Sequence, residues 1–215
     1  MKYKLAIFDM DGTILDTLED LTISSNYVLS EMNCPTRTTE EVRRCIGNGA
    51  KELMRQILPD DSTEEQVMKA LKLFATHYKA HCKEHTRPYK GINETLENLR
   101  RAGVKTAVVS NKPDEAVKAL CADLFTGLFD YALGEDPGLP KKPDRAMVDK
   151  ILSELGIDKK DAVYIGDSDV DIKTAENSEM DHIIVTWGFR DENFLREEGA
   201  KVFAHDMAEL EEKLI

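Results

Sequence analysis

The sequence predicts an α/β fold: a doubly wound parallel sheet with a small all-helical domain inserted after its first strand. Three observations predict it. Short runs rich in Val, Ile and Tyr alternate with segments of helical period. The stronger runs are almost continuously apolar, as in parallel strands covered on both faces. One long interval, between the first strand and the next, is helical throughout.

"YKLAIFD" (Tyr3 to Asp9) is the first strand. The interval that follows reads as helices, with Leu18, Leu21, Val28, Leu29 and Met32 on one apolar face and Val67, Ala70, Leu71, Phe74 and Tyr78 on another. The predicted division is therefore a core of residues 1–16 and 84–215 with a helical insertion over 17–83, the chain returning through "TRPYKG". Alternation then resumes. A helix over Ile92 to Arg101 leads to "VKTAVVSN" (Val104 to Asn111), and a helix over Pro113 to Leu124 leads to the weaker strand "FDYALG". A helix over Asp144 to Leu155 precedes "DAVYIGD" (Asp161 to Asp167), and one over Asp169 to Ser178 precedes "DHIIVTW" (Asp181 to Trp187).

Composition narrows the partners. The 215 residues are 41% apolar and 33% charged, typical of a soluble globular chain, with a formal net charge of −12. Scattered acidic residues and no basic patch argue against nucleic acid or an anionic membrane surface, not against an anionic small molecule. The N-terminal apolar run is broken at once by Asp9, too short for a signal-peptide core, and no stretch nears the ~18 apolar residues of a membrane span. Four separated cysteines (Cys34, Cys45, Cys82, Cys121) without a C-x-x-C pair suggest reduced thiols in a cytoplasmic protein. Monomer and homodimer both remain open.

The polar residues that interrupt this pattern converge. Asp9, Ser110, Lys142 and Asp167 fall at or just past the ends of core elements, where an open α/β sheet forms its ligand crevice. "DMDGTILD" (Asp9 to Asp16) places three carboxylates within eight residues, which calls for compensating positive charge. Asp9 at a strand end suits a nucleophile that forms an acyl phosphate. Asp11 suits a general acid and then base, with Gly12 permitting the tight turn between them. Asp167 completes an oxygen-rich site suited to Mg²⁺. Ser110 and Lys142 suit a phosphoryl group, with main-chain N–H groups near Met10 and Asn111 as further donors. Each residue alone has a plainer reading. Asp is common in turns, Ser110 could start a helix, and Lys142 belongs to an exposed-looking basic pair. Four motifs in order make those readings poor ones for the set.

"DMDGTILD" resembles the first motif of the haloacid dehalogenase-like hydrolases, and "VVSN", "Lys142-Pro143" and "GDSDVD" match the other three in order. The resemblance spans the chain and implies a Rossmann-like core with a helical cap. "IGNG" (Ile46 to Gly49) and "VTWGFR" (Val185 to Arg190) resemble the phosphoglycolate phosphatase branch. It implies Asp9 as nucleophile and Mg²⁺ ligand, Asp11 as acid/base with its carbonyl on the metal, and Asp167 as the third ligand. Asp171 is expected to support the metal or orient its water, the plainer reading being a favourable charge at a helix start. Asn48, Gly49 and Lys51 are candidate substrate contacts, or else plain helix-start residues. Arg145 stands where relatives often have a second proline, which bears only on how the next helix begins. Asp16 is expected to be a turn or cap residue outside the site.

The implied activity is Mg²⁺-dependent hydrolysis of a small phosphorylated metabolite. Phosphoglycolate, pyrophosphate, a nucleoside monophosphate and a sugar phosphate all fit the core. The alternatives are a phosphosugar mutase with the same nucleophile and acid, and a catalytically silent phosphate-binding module. One further pattern, His77, His81 and His85 at i, i+4, i+8, imitates a zinc site, but no fourth ligand is placed to close it. A solvated helix face is the expectation there.

Overall fold

The computed structural model describes residues 2–215. The chain divides into two compact units, Met1–Leu15 with Pro88–Ile215, and Asp16–Arg87.

The first unit is built on a six-stranded parallel sheet. Strand β1 (Leu5–Phe8) lies at its centre. The next segments, β2 (Leu15–Asp16) and β3 (Arg87–Pro88), pair with each other where the chain leaves and re-enters this unit. The sheet continues with β4 (Lys105–Pro113), β5 (Tyr131–Glu135), β6 (Ala162–Gly166), β7 (Asp181–Val185) and β8 (Phe203–Ala204), in the order β5-β4-β1-β6-β7-β8. β1 pairs in parallel with β4 on one side, Phe8 opposite Val108, and with β6 on the other, Phe8 opposite Ile165. Chain order therefore reverses at β1, and the crevice of a doubly wound sheet opens beyond its carboxyl end. Phe8 and Asp9 sit at that point.

Both faces of the sheet are covered, which explains the unbroken apolar runs. Ala6, Phe8, Val108 and Ile165 pack on one face with Ile92, Leu96 and Leu99 of α5 (Ile92–Arg101), Val117 and Leu120 of α6 (Asp114–Leu124) and Leu210 and Leu214 of α10 (Met207–Leu214). Leu5, Ile7, Ala107 and Val109 pack on the other with Met147, Val148, Ile151 and Leu152 of α7 (Ala146–Leu155) and Ala175 of α8 (Asp169–Asn177). Alternate residues of one strand thus serve two cores. The region after Trp187, for which the sequence carries no clear period, forms α9 (Glu192–Glu197), β8 and α10; elements of two to eight residues are too short to show one.

The second unit holds four helices: α1 (Leu18–Glu31), α2 (Thr39–Cys45), α3 (Ala50–Ile57) and α4 (Glu64–His81). Thr38 and Thr63 open α2 and α4 with capping boxes to Glu41 and Gln66, satisfying first-turn N–H groups. Val67, Ala70, Phe74 and Tyr78 are buried as their spacing predicts, while Leu71 is half-buried. A buried carboxylate that the sequence pattern gives no hint of closes the unit. Asp20 accepts the amides of His85 (3.0 Å) and Thr86 (2.8 Å) and the Thr86 hydroxyl (2.7 Å). Among the described residues no helix is long and apolar enough to cross a membrane.

Candidate active site

The first motif follows β1 as a tight turn. The Met10 carbonyl accepts the amides of Ile14 and Leu15, both at 3.0 Å, and Gly12 takes φ +84°, open to glycine at little cost. The Asp9 amide donates to the Ile165 carbonyl at 2.8 Å, which ties the strand end to β6 and sets Asp9 beside Asp167.

Lys142 is the hub. Its side chain is 2% exposed, and Nζ lies 2.8 Å from Asp9 Oδ1, 2.8 Å from Asp171 Oδ1 and 3.1 Å from the Tyr164 hydroxyl. Three donors thus meet three acceptors. Asn111 holds Lys142 from behind: its Oδ1 accepts the Lys142 amide (2.9 Å) and its Nδ2 donates to the Lys142 carbonyl (3.0 Å). The Asn111 side chain is thereby committed to the backbone, so a phosphoryl group would meet this residue through its main chain. The Ser110 hydroxyl accepts the Lys112 amide at 3.3 Å, which turns β4 at its end.

Asp171 is fully enclosed. Oδ1 accepts from Lys142 and from the Tyr164 hydroxyl (2.9 Å); Oδ2 accepts from the Ser168 hydroxyl (2.6 Å) and the amides of Ser168 and Asp167 (3.1 and 3.2 Å). It is also the third residue of α8 and closes a capping box with Ser168, so the charge expected at a helix start is the same side chain that meets Lys142. Burial works against its charge, yet Lys142 and these donors outweigh burial and hold its carboxyl below the usual range.

Asp167 is wedged. Thr13 donates to Oδ1 (3.1 Å) and the Phe189 amide to Oδ2 (2.7 Å). Glycines flank it: a Cβ on Gly12 or on Gly188 would come within 2.3 Å of Asp167 atoms. Burial, then the neighbouring Asp171 charge, pushes its carboxyl up to about 7, with the Phe189 amide, Thr13 and Arg190 pulling the other way. Burial and Asp171 also push Asp9 well above the usual range despite Lys142. Asp9, Asp167 and Asp171 present carboxylate oxygens all within 4.8 Å of one another. Two buried carboxylates short of positive charge form a hard-oxygen donor set that fits a divalent cation. The Asp171 oxygens accept five hydrogen bonds between them, whereas each Asp167 oxygen accepts one and Asp9 meets Lys142 through Oδ1, so Asp9 and Asp167 keep more lone pairs that could face a cation.

The structure brings Asp9, Asp11, Ser110, Asn111, Lys142, Asp167 and Asp171 to one sheet edge. Asn48, Gly49 and Lys51 belong to the helical unit: Gly49 is the N-cap of α3 at φ +85°, and Lys51 is paired with Glu64 at 2.7 Å. Asp16 is exposed and accepts the Leu18 amide at 3.2 Å, a turn role. The histidines do not converge. His77 and His81 stack at 4.3 Å, their Nδ1 atoms engaged by Ser24 (3.0 Å) and Glu84 (2.7 Å), while His85 lies beyond the end of α4.

Two site residues were not singled out from the sequence. Lys112 pairs with Asp11 Oδ1 at 2.8 Å, and Tyr164 bridges Lys142 and Asp171. Tyr164 had a signal, being the polar-tipped member of an otherwise apolar strand. Lys112 had only its adjacency to "SN".

A sequence profile of the haloacid dehalogenase-like hydrolases matches residues 6–185. A phosphoglycolate phosphatase of Pseudomonas savastanoi pv. phaseolicola is 32% identical over 216 residues, covering 96% of this chain and 78% of that one. The phosphoglycolate phosphatase of Aquifex aeolicus is 33% identical over 187 residues, with 86% of each chain covered. A crystal structure of a candidate phosphoglycolate phosphatase from Lactobacillus delbrueckii subsp. bulgaricus superposes with a TM-score of 0.96 at 41% identity, covering 100% of this chain and 99% of that one.

Proposed function

The chain belongs to the haloacid dehalogenase-like hydrolases and is a phosphatase of that family, and on that premise we propose that it hydrolyses a small phosphate monoester, phosphoglycolate foremost, through an aspartyl phosphate on Asp9. The observation that carries this reading is the buried ammonium of Lys142 held 2.8 Å from Asp9, with Asp11 two residues further along the same turn.

In this mechanism Lys142 and Ser110, with main-chain N–H groups, orient the phosphoryl group and offset its charge. An Asp9 carboxylate oxygen attacks phosphorus; the bond to the ester oxygen breaks, and Asp11 gives that oxygen its proton, releasing the alcohol. Asp11, now a carboxylate, takes a proton from water as its oxygen attacks phosphorus. The Asp9–phosphoryl bond breaks and inorganic phosphate leaves. Asp171 and Tyr164 keep Lys142 aimed throughout. Mg²⁺ suits the donor set: Asp9, Asp167 and the Asp11 carbonyl would hold it, and when bound it supplies positive charge to the phosphoryl oxygens. The helical insertion, residues 17–83, is assigned as the family's cap, with Asn48, Gly49 and Lys51 as its substrate-reading positions. Four free cysteines fit a cytoplasmic setting.

The test is phosphate release from a panel of esters (phosphoglycolate, pyrophosphate, nucleoside monophosphates, sugar phosphates) with Mg²⁺ and with a chelator. We expect metal-dependent release, fastest with phosphoglycolate, and a fall of at least ~10⁴-fold in kcat for Asp9→Asn. No turnover of any ester, or parental activity in Asp9→Asn, overturns the mechanism. Isomerised sugar phosphate in place of free phosphate assigns a mutase instead.

A further inference from the structure

Lys112 has no role in the mechanism above, yet its side chain is only 3% exposed and its Nζ sits at ion-pair distance, 2.8 Å, from Asp11 Oδ1, a buried oxygen that takes no hydrogen bond among the described residues. A lysine is among the residues least often buried, and a buried ammonium is tolerated only when paired. This pair is therefore unlike the solvent-exposed ion pairs on the helices, such as Arg145 with Asp149. Nor does it duplicate Lys142, whose three donors face Asp9, Asp171 and Tyr164 rather than Asp11.

The backbone is shaped to deliver it. The β4–β5 register shifts between Val109 and Pro113, so Ser110, Asn111 and Lys112 fall in the irregular stretch at the strand's carboxyl end. All three are buried there, and the Lys112 amide is tied to the Ser110 hydroxyl. Two neighbouring lysine-bearing segments thus serve two carboxylates: Lys142 beside Asp9, and Lys112 beside Asp11. Asp11 sits on a turn with a positive-φ glycine next in sequence, and Lys112, at the end of β4, is the charged group paired with its carboxyl. Proton transfer needs heavy atoms within about 2.6–3.2 Å, and a displacement of ~1 Å can lose ~10²-fold in rate.

We propose that Lys112 is a positioning residue for the general acid/base: it anchors Asp11 by one carboxylate oxygen and leaves the other for proton exchange with the leaving oxygen and then with water. The proposal rests on the assignment of Asp11 as acid/base made above. It differs from simple neutralisation of an acidic site, which would favour all phosphate esters alike.

The leaving group separates the two. An activated aryl phosphate departs with little help from an acid, whereas an alkyl phosphate needs the proton. The experiment measures kcat and KM across aryl and alkyl phosphates for the parent, Lys112→Met, Lys112→Arg and Asp11→Asn. The expected result is a loss in Lys112→Met at least ~10-fold greater on alkyl than on aryl esters, expressed in kcat. Asp11→Asn shows the same tilt more steeply, and Lys112→Arg recovers part of the alkyl activity. Should Lys112→Met fail to fold, Lys112→Gln, which keeps a polar stem but removes the charge paired with Asp11, carries the same comparison. An equal loss across the series, or a loss confined to KM, overturns the proposal. If Asp11→Asn tilts and the Lys112 variants do not, the positioning role alone falls. If Asp11→Asn itself shows no tilt, the acid/base assignment falls and takes the proposal with it.

Discussion

Gly188→Ala tests whether the space around Asp167 is as tight as the site requires. Gly188 is not at positive φ, so the substitution adds one methyl group without backbone strain of its own. That methyl would lie 2.3 Å from both Cβ and Oδ2 of Asp167, against the 3.4–4 Å of an ordinary contact. Roughly 1 Å of movement is needed, and catalytic groups displaced by that much lose ~10²-fold in rate. Asp167 has nowhere to go. Oδ1 is held by Thr13, Oδ2 by the Phe189 amide, and Gly12 closes the opposite side at a distance no Cβ could share. The loop carrying Gly188 must yield instead, which pulls the Phe189 amide off Oδ2. Overpacking of this kind costs about 1–3 kcal/mol of stability, and the lost charge-assisted hydrogen bond about 1.5–3 kcal/mol. The expected phenotype is a kcat/KM lowered ~10²-fold, a raised requirement for divalent cation, and a Tm lowered by roughly 5–20 °C. The assays are phosphate release against Mg²⁺ concentration and a calorimetric melt. A variant with parental metal dependence and parental Tm would show that Asp167 has slack, and would refute the wedge.

Two further outcomes concern other parts of the molecule. Asp20→Ala leaves the amides of His85 and Thr86 and the buried Thr86 hydroxyl without their shared acceptor. It should destabilise the helical unit by about 2–4 kcal/mol and speed hydrogen exchange at residues 85–86; unchanged exchange there contradicts the strap. Burial pushes the Cys121 thiol up to about 12, so at pH 8 only ~10⁻⁴ of it is thiolate and it should resist alkylation in the native fold. Cys34 and Cys45 are half-buried and should react first, with Cys121 joining only in denaturant; fast native labelling of Cys121 contradicts its burial.

Much of this was legible in one dimension because two simple periodicities record it. A parallel strand covered on both faces must be apolar at every position, so Leu5 to Phe8 and Ala162 to Ile165 announce themselves, as does the end of each strand where a polar residue interrupts the run. Asp9 and Asp167 are such interruptions, and the switch of strand order at β1 is what makes the two neighbours. The motifs therefore singled out Asp9, Lys142 and Asp167, and the fold brings them together. Local chemistry also sufficed for Asp16, a turn residue bonded to an amide two positions on.

Only the tertiary structure decided what those charges do to one another. Whether a carboxylate faces a cation, an amide or another carboxylate depends on contacts between residues far apart in the chain. Asp171 stands 29 residues from Lys142, and Lys112 stands 101 beyond Asp11, separations that no local period encodes. The Asn111 side chain clasps the backbone of Lys142, 31 residues on, a contact the sequence does not suggest. Asp20, which no motif singles out, is the acceptor for the chain's return 65 residues later. Residue type, in short, determined which groups could ionise and react; the fold determined which of them are buried, which are paired, and hence which remain available for chemistry.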